Sequence, residues 1–333
     1  MRWHNGTMPQ GLPIVNISAL IGPSSREETQ RAESALYDAL SSVGFAVLVG
    51  HGVPDSTIEA MRAAVRDTFD APRETLALDT VVKGNYRGYV PLGYFTPNSG
   101  KGKGDQYEAW KLHHETDVND PIRSACHLYG PNVWPRIDAD VRTRVMNYWA
   151  AMTTLCDHLI VALCNSLGID PQRILSAMSE PLTNMTLLNY PPTEPQPDTW
   201  GIHPHKDFNV LTVLAHDPIG GLEVRTRDEQ WIDAKCPPDA LVLNVGDMLE
   251  LWSGGRLVST PHRVTNTSGR ARQSFPFFYK PRHDVTVEPL VEPLAGFERL
   301  PLNVGASAAD IWYSNWPDTA STEPAQVLGD YAN

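Results

Sequence analysis

The chain has 333 residues, of which 41% are hydrophobic and 20% are charged, a balance typical of a soluble globular protein that can bury a large core. Its formal net charge of -12 argues against nucleic acid and anionic membranes as partners, because both bind clustered lysine and arginine side chains and the sequence has no such cluster. We therefore expect neither of these two classes of partner.

The four cysteines are widely separated, form no Cys-x-x-Cys pair and are too few for a disulfide scaffold in a chain of this length. We predict free or buried thiols in a reducing compartment at Cys126, Cys156, Cys164 and Cys236. Residues 1–10 lack the apolar core of a signal peptide, and no apolar stretch reads as long enough to span a bilayer. The sequence predicts a cytoplasmic protein.

The N-terminal residues predict an opening strand followed by an amphipathic helix. Residues 12–17 are strand-like, and Ser25 and Glu28 have the spacing of a capping box at a helix start. Apolar residues then recur at intervals of three or four, and Gly44 is placed to end the helix.

A buried strand is expected next, at residues 45–49 (FAVLV). After a turn, either Asp55 or Ser56 is expected to cap a second helix, which Pro72 stops. Residues 83–104 are rich in Gly, Pro and Asn, which indicates loops between short strands.

The middle of the chain predicts one strand and the longest helix. Residues 107–113 alternate in a way that places four side chains on one strand face, namely Tyr107, Ala109, Lys111 and His113. Residues 138–167 carry apolar residues at helical spacing, with Gly168 at the end. Such a helix more often braces a sheet than performs chemistry.

A short helix is expected near residues 171–178, and the pattern then changes to short strands punctuated by Gly and Pro. The strand-like runs are 186–190, 210–215, 222–225, 230–234, 241–245, 262–266 and 273–279. This pattern favours an α+β fold with a double-stranded β-helix (jelly-roll) core, flanked by N-terminal helices and one long bracing helix.

We expect one compact catalytic unit over residues 1–333. Within it we predict an N-terminal region at 1–120, a jelly-roll core at 180–285 and a C-terminal segment at 286–333 that packs on the core or over the active site.

The run HPHKDF at residues 203–208 holds candidate metal ligands. If residues 205–207 are in a strand, His205 and Asp207 point to the same face. His262, in the run STPHRV, is the candidate second histidine. Two histidines and one carboxylate leave about three positions open on an octahedral metal, which suits iron(II). A structural zinc site would instead use four protein ligands. His203 competes as a ligand, since it too lies two residues from His205.

Several segments, in this order along the chain, resemble the isopenicillin N synthase-like branch of the non-haem iron(II), 2-oxoglutarate-dependent oxygenases. They are FAVLVGHGVP (45–54), LNYPP (188–192), GGLEV (220–224), QWID (230–233), LNVGDMLELWS (243–253), STPHRV (259–264) and RARQS (270–274). The resemblance covers most of the chain and is densest over residues 187–280.

The resemblance implies that His205, Asp207 and His262 are both the metal ligands and the catalytic centre, and it leaves His203 outside this set. It also implies that Arg272, Ser274 and Tyr190 hold the distal carboxylate of 2-oxoglutarate. A planar guanidinium can donate a bidentate pair of hydrogen bonds to a carboxylate, and the two hydroxyl groups add further donors.

The implied activity is that of an oxidoreductase, a dioxygenase that uses iron(II), 2-oxoglutarate and dioxygen to oxidise an unactivated C–H bond of a small molecule. Hydroxylation is the default outcome, and desaturation or cyclisation are alternatives. An amino-acid-derived or secondary-metabolite substrate is expected. Isopenicillin N synthase itself uses no 2-oxoglutarate, and its Arg-x-Ser region serves a substrate carboxylate, so a direct oxidase is the first alternative.

Two further alternatives are a jelly-roll module that binds a ligand without turnover, and a zinc-dependent hydrolase. The complete ligand set counts against the first. The second requires a general base beside the metal, and no His-Glu-x-x-His motif supplies one.

Substrate choice is expected to come from the N-terminal half and from loops around the barrel mouth. The candidate substrate residues are Arg87, Tyr107, Lys111, His113, Trp252, Phe278 and Lys280. Three of them, Arg87, Lys111 and Lys280, would suit a substrate that carries a carboxylate. The sequence does not determine the oligomeric state.

Overall fold

The structure, a computed structural model, describes residues 11–82, 84–94, 104–137, 139–192, 199–266 and 268–314. The N-terminal stretch 1–10, most of the loop expected before residue 104 and the end of the C-terminal segment lie outside these residues.

The described part of the chain contains fifteen strands and nine α-helices. The strands are β1 (Ile14–Asn16), β2 (Phe45–Val49), β3 (Gly88–Val90), β4 (Glu108–His113), β5 (Asn184–Tyr190), β6 (Ile202–His205), β7 (Leu211–Ala215), β8 (Leu222–Arg225), β9 (Trp231–Asp233), β10 (Leu241–Val245), β11 (His262–Val264), β12 (Arg272–Ser274), β13 (Phe277–Tyr279), β14 (Thr286–Val287) and β15 (Leu302–Asn303). The helices are α1 (Ser18–Ile21), α2 (Arg26–Ser42), α3 (Asp55–Asp70), α4 (Arg73–Ala77), α5 (Ile122–Ala125), α6 (Ala139–Leu167), α7 (Gln172–Leu175), α8 (Asp247–Trp252) and α9 (Val304–Ser314), with a 3-10 turn at Ser176–Met178.

Two sheets form the jelly-roll core. The larger has the order β1-β2-β10-β7-β13-β5-β4-β3, and β12 also pairs with β5; the smaller has the order β6-β11-β8-β9. Side chains from the two sheets meet, since the ring of Phe45 on β2 lies 5.3 Å from that of His262 on β11. The predicted α+β class with a jelly-roll core is confirmed.

The N-terminal segment builds into the larger sheet. Strand β2 pairs antiparallel with β10, and β1 adds to it in parallel. All but the last residue of β2 is buried, as its apolar sequence predicts. The first strands and the jelly-roll strands therefore share one sheet.

Local sequence signals set the ends of α2 as predicted. Ser25 accepts a hydrogen bond from the backbone N–H of Glu28, whose carboxylate accepts one from the backbone N–H of Ser25. Gly44 follows the helix with φ of +76°, a conformation that glycine adopts without a steric penalty.

The predicted cap of α3 was wrong. Pro54 occupies the N-cap position and no side chain caps the helix. Proline supplies a fixed φ angle suited to a helix start, which removes the need for a hydroxyl or carboxylate cap. The helix does end before Pro72, as predicted.

Helix α6 is the bracing helix expected from its apolar periodicity. It packs against α2 and α3 on one side and against β7 and β13 on the other. By length and composition alone it meets the criterion for a membrane-spanning helix, contrary to our expectation that no segment would. Its apolar stripe, which includes Val145, Met152 and Leu159, is buried in the protein core instead.

Two further expectations needed correction. The predicted strand at 273–279 is two strands, β12 and β13, because Pro276 has no N–H to donate and interrupts the ladder. The loop expected to contain Trp252 begins one residue later: Trp252 ends the buried helix α8, and residues 253–255 form a turn. Arg299 lies 2.6 Å from Glu250 of this helix and 3.2 Å from its Asp247.

Candidate metal centre and carboxylate pocket

Two histidines meet because their strands are paired. His205 ends β6 and His262 begins β11, and the two residues lie directly opposite each other in the antiparallel ladder. Residues opposite each other in such a ladder point to the same face. Their ring centroids are accordingly 4.3 Å apart.

Asp207 completes a group of three, which we call the triad. Its Oδ1 lies 3.7 Å from Nε2 of His205, and its Oδ2 lies 3.8 Å from Nε2 of His262. The prediction that His205 and Asp207 share a strand was wrong: β6 stops at His205, and Asp207 lies in the turn before β7. The turn still places the carboxylate beside both imidazoles.

Backbone carbonyl groups orient both imidazole rings. Nδ1 of His205 lies 2.8 Å from the carbonyl oxygen of His203, and Nδ1 of His262 lies 3.1 Å from that of Thr260. Each Nδ1–H can therefore donate to a carbonyl, which leaves the Nε2 lone pair directed at the centre. Burial, together with the neighbouring His262, lowers the pKa of His205 to about 3. The ring is thus neutral at physiological pH, as a metal ligand must be.

Two polar side chains hold the carboxylate of Asp207 in place. Its Oδ2 accepts hydrogen bonds from Oγ1 of Thr212 at 2.5 Å and from Nδ2 of Asn244 at 2.8 Å. Burial alone would raise the pKa of Asp207, but His262, His205 and these two hydrogen bonds hold it below its usual value. The carboxylate is therefore ionised.

The donor set fits iron(II). Ligand atoms from the three side chains lie within 4.8 Å of one another, and no fourth His, Cys, Asp or Glu joins them among the described residues. Two imidazole nitrogens and one carboxylate oxygen are the ligands of non-haem iron(II) sites with open positions, whereas a structural zinc site has four protein ligands.

A buried arginine lies at the far end of β5. Arg272 on β12 is 2% exposed and lies opposite Tyr190, and its Nε donates to the carbonyl oxygen of Gly220 at 2.7 Å. Its Nη1 is buried and has no hydrogen-bond partner. A buried guanidinium nitrogen without an acceptor is costly, so this geometry suits a ligand carboxylate.

The other two predicted carboxylate ligands lie beside Arg272. Ser274 is two residues further along β12, so its hydroxyl is on the same face, and it is 4% exposed. The ring of Tyr190 lies 4.8 Å from the guanidinium carbon of Arg272. Burial raises the pKa of Tyr190 to about 12, so its hydroxyl keeps the proton and can donate.

Five of the seven predicted substrate residues share the inner face of the larger sheet with Arg272. Lys111 lies opposite Thr186 and His113 opposite Asn184 on the β4–β5 ladder, which confirms the predicted alternation. Phe278, on β13, is the third and lies opposite Asn184. The same alternation, continued by one residue beyond each strand, places Tyr107 before β4 and Lys280 after β13 on this face.

The remaining two predicted substrate residues have other contacts. Arg87 is 3% exposed and donates to the carbonyl oxygen of Leu128 at 2.7 Å, so it fixes a loop. Trp252 is 3% exposed at the end of α8, and its carbonyl accepts from the N–H of Leu290. A substrate role for either stays a prediction.

Sequence reasoning missed several residues of the site. Thr212 and Asn244 hold the carboxylate of Asp207, and the carbonyl group of Gly220 orients Arg272. Asn244 and Gly220 lie inside segments that resemble the family, and this resemblance is the signal that could have found them. Trp312 on α9, whose ring lies 4.0 Å from that of Tyr86, gave no signal because α9 carries no recognised motif.

Two family descriptions match the chain. The 2OG-Fe(II) oxygenase superfamily matches residues 182–281, and the N-terminal region described as "non-haem dioxygenase in morphine synthesis N-terminal" matches residues 12–137. The first range contains the triad and the arginine pocket.

Relatives and solved structures agree with these matches. Homoarginine-6-hydroxylase 2-ODD-233 of Oryza sativa subsp. japonica is 32% identical over 295 residues, covering 84% of this chain and 89% of the relative. The 2-oxoglutarate-dependent dioxygenase thnC of Trichoderma harzianum is 32% identical over 273 residues, covering 80% and 84%. The crystal structure of Neurospora crassa T7H in complex with alpha-KG and thymine has a TM-score of 0.80 at 20% identity, covering 92% of this chain and 97% of that chain, which supports the fold.

Proposed function

Because this chain belongs to the 2OG-Fe(II) oxygenase superfamily and is therefore an iron(II)- and 2-oxoglutarate-dependent dioxygenase of small molecules, we propose that its triad holds the metal and that Arg272 anchors 2-oxoglutarate. The observation that carries this assignment is the presence of a three-ligand centre together with a buried guanidinium nitrogen that has no hydrogen-bond partner.

The triad residues supply a neutral, pre-oriented ligand set. Their hydrogen bonds fix the imidazole rings and the carboxylate before the metal binds, so little reorganisation is needed. When bound, iron(II) and 2-oxoglutarate supply dioxygen activation coupled to oxidative decarboxylation, with succinate and carbon dioxide as products.

The arginine pocket positions the co-substrate. Arg272 offers its free Nη1 to the distal carboxylate, while Nε stays bound to the carbonyl of Gly220, which prevents the guanidinium from turning away. Ser274 and Tyr190, beside Arg272, would offer hydroxyl donors to the same carboxylate. Burial strengthens these charge-assisted hydrogen bonds, since water does not compete for the donors.

The alternatives receive less support. A zinc-dependent hydrolase needs a general base beside the metal, and no second carboxylate joins the triad within the described part of the chain. A binding module without turnover has no need for a complete ligand set. A direct oxidase without 2-oxoglutarate would use Arg272 for its substrate, and the relatives named as 2-oxoglutarate-dependent dioxygenases favour the co-substrate instead.

The substrate is an amino-acid-derived molecule or a secondary metabolite, and hydroxylation is the outcome. The name of the rice relative, a homoarginine hydroxylase, supports the amino-acid-derived class and the reaction type. The four cysteines, three buried and one half-buried, form no disulfide, which is compatible with a cytoplasmic location.

The test compares Asp207→Ala with the exposed control Asp228→Ala. Under anaerobic conditions, iron(II) and 2-oxoglutarate should produce the visible charge-transfer band in the wild type and the control but not in Asp207→Ala. Addition of oxygen should then release succinate in the first two only. A band that survives in Asp207→Ala would contradict the triad assignment, and binding of iron without any band in the wild type would favour the direct oxidase.

A further inference from the structure

Two lysines come from the two elements that flank β5, Lys111 from β4 and Lys280 from the residue after β13, and their backbone positions are away from that of Arg272. Lys111 is opposite Thr186 on the β4–β5 ladder, and Thr186 precedes Tyr190 by four residues, about 13 Å along a strand. Lys280 follows β13, where its backbone N–H donates to Oγ1 of Thr183 at the start of β5. Both lysines therefore lie toward the opposite end of β5 from Arg272.

Neither lysine is neutralised by the protein. Among the described residues, no carboxylate lies within 4.0 Å of either ammonium group; the nearest described contacts are aromatic, 5.2 Å from Nζ of Lys111 to the ring of Tyr86 and 5.9 Å from Nζ of Lys280 to that of Phe208. Burial and the charge of Lys280 together lower the pKa of Lys111 to about 8, and burial lowers that of Lys280 to about 8. Two cations close enough to repel each other in a desolvated site call for an anion between them.

Unpaired polar atoms lie on the same sheet face as Lys111. Oγ1 of Thr186, Oδ1 of Asn184 and Nε2 of His113 are buried and have no hydrogen-bond partner. Thr186 is 2% exposed and Asn184 is 8% exposed, so bulk water does not form hydrogen bonds with these side-chain atoms. Buried polar groups in native proteins are almost always paired, which indicates that a polar ligand group completes this cluster.

The cluster lies on the metal side of the site. The carboxylate of Asp207 raises the pKa of Lys280, which places this ammonium within electrostatic reach of the triad. Burial and the cations Arg87, Lys280 and Lys111 lower the pKa of His113 well below its usual value, so the imidazole is neutral and adds no charge. The groups that face the two lysines are thus Asp207, which serves the metal, and the neutral His113.

Aromatic rings wall the same space. Tyr86 packs under Lys111 and against Trp312 of α9, with 4.0 Å between the two ring centroids, and Phe208 lies beside Lys280. A ligand that enters here meets cations at one end and apolar rings around its body.

We propose that Lys111 and Lys280 form a subsite for the carboxylate of the substrate, which is a small organic acid with an apolar or aromatic body. This proposal rests on the proposed function, because the acid is the molecule that the dioxygenase oxidises. We assign the carboxylate held by Arg272 to a separate group, because the backbone positions of Arg272 and Lys111 differ by four residues along β5, about 13 Å.

The test measures binding calorimetrically to the protein loaded anaerobically with iron(II) and 2-oxoglutarate. The probes are phenylacetate, 4-phenylbutyrate, hexanoate and decanoate, each compared with its primary amide and with the phosphonate of matched length. At least one acid should bind ten times more tightly than its amide. Lys111→Met and Lys280→Met should each weaken that binding about 10- to 100-fold, the range for one lost charge-assisted hydrogen bond, without a change in 2-oxoglutarate affinity. The exposed control Lys235→Met should bind as the wild type does.

Each unfavourable outcome has a distinct meaning. Equal binding of every acid and its amide, or a phosphonate that binds more tightly than the matched acid, would overturn the subsite while leaving the proposed function intact. Absence of the iron and 2-oxoglutarate complex in the wild type would overturn the proposed function itself. If Lys111→Met fails to fold, Lys111→Gln and Lys280→Met carry the test, and unchanged acid binding in both would also overturn it.

Discussion

Replacement of Arg272 by methionine tests the co-substrate pocket most directly. Methionine keeps much of the buried aliphatic volume of Arg272 but removes the guanidinium, so the distal carboxylate of 2-oxoglutarate would lose its charged partner. Loss of one partner from a buried, hydrogen-bonded charge pair costs about 2–5 kcal/mol. Because Ser274 and Tyr190 still donate, we expect a value near the lower end, about 3 kcal/mol, which corresponds to roughly 100-fold weaker binding.

The assay is a titration of 2-oxoglutarate into the anaerobic iron(II) protein, followed by its visible absorption and repeated as a Michaelis constant for succinate release. Arg272→Lys keeps the charge but not the planar fork, so its affinity should lie between those of the wild type and Arg272→Met. Arg270→Met is the matched control, since Arg270 is two residues away on the same segment but exposed. Its 2-oxoglutarate affinity should match that of the wild type.

Two results would refute the reasoning. If Arg272→Met bound 2-oxoglutarate within threefold of the wild type while retaining its melting temperature, the guanidinium would not be the carboxylate ligand. If Arg270→Met weakened binding as much as Arg272→Met, the effect would reflect the net charge of the segment and not the buried pocket. Loss of the hydrogen bond to Gly220 also destabilises the fold, so thermal unfolding must be measured for each variant.

Three further predictions address the triad, the lysines and the backbone. Thr212→Val should lower iron(II) affinity about 10- to 100-fold, measured by competition with a chelator, because Asp207 loses a hydrogen bond that fixes its carboxylate; unchanged affinity would contradict this. The carboxylate probes should bind most tightly below pH 8 and more weakly as the pH rises through 8, because Lys111 and Lys280, each with a pKa of about 8, then lose their positive charge. Calorimetric titrations between pH 6.5 and 9.5 measure this change in affinity. Gly221→Ala should destabilise the protein by at least about 1–3 kcal/mol in urea unfolding, because its φ is +82° and an added methyl carbon would lie 2.0 Å from a backbone carbonyl oxygen; wild-type stability would refute it.

The sequence predicted the parts of the fold that depend on interactions between residues close together in the chain. The capping box at Ser25 and Glu28 and the helix stop at Gly44 depend only on residues within one or two turns, and both occur as predicted. The alternation of Lys111 and His113 likewise follows from strand geometry alone. Where the outcome depends on tertiary packing, prediction failed: α8 is a buried helix of only six residues, too short for a periodicity to distinguish it from a strand or loop.

The triad shows how a correct residue set can follow from an incorrect local structure. His205 and Asp207 were expected to converge by strand alternation, but the strand ends at His205, and a turn brings the carboxylate round. Hydrogen bonds from Thr212 and Asn244 hold the carboxylate of Asp207 in this turn. Thr212 is on β7, directly after the turn, and Asn244 is on β10, distant in sequence. Such partners are fixed by sheet register, which the sequence of the turn does not encode.

The presence of two separate cationic sites bears on the choice between a 2-oxoglutarate-dependent enzyme and a direct oxidase. An enzyme of the isopenicillin N synthase type needs one carboxylate clamp, because its Arg-x-Ser region serves the substrate. The lysine subsite that we propose would be a second clamp, and the residue opposite its Lys111 lies about 13 Å along β5 from the residue opposite Arg272. Since the lysines can take a substrate carboxylate, the arginine pocket is left for a co-substrate.

If the two carboxylates bind at separate sites, mutations at the two sites should weaken the binding of the acid and of 2-oxoglutarate independently. Lys111→Met should weaken acid binding and leave 2-oxoglutarate affinity unchanged, while Arg272→Met should do the reverse, because sites this far apart and without shared ligands have additive effects. The double variant should then lose acid affinity by the factor seen in Lys111→Met and 2-oxoglutarate affinity by the factor seen in Arg272→Met. A direct oxidase would respond differently: Arg272→Met would abolish acid binding and 2-oxoglutarate would not bind in any variant, so one set of titrations separates the two mechanisms.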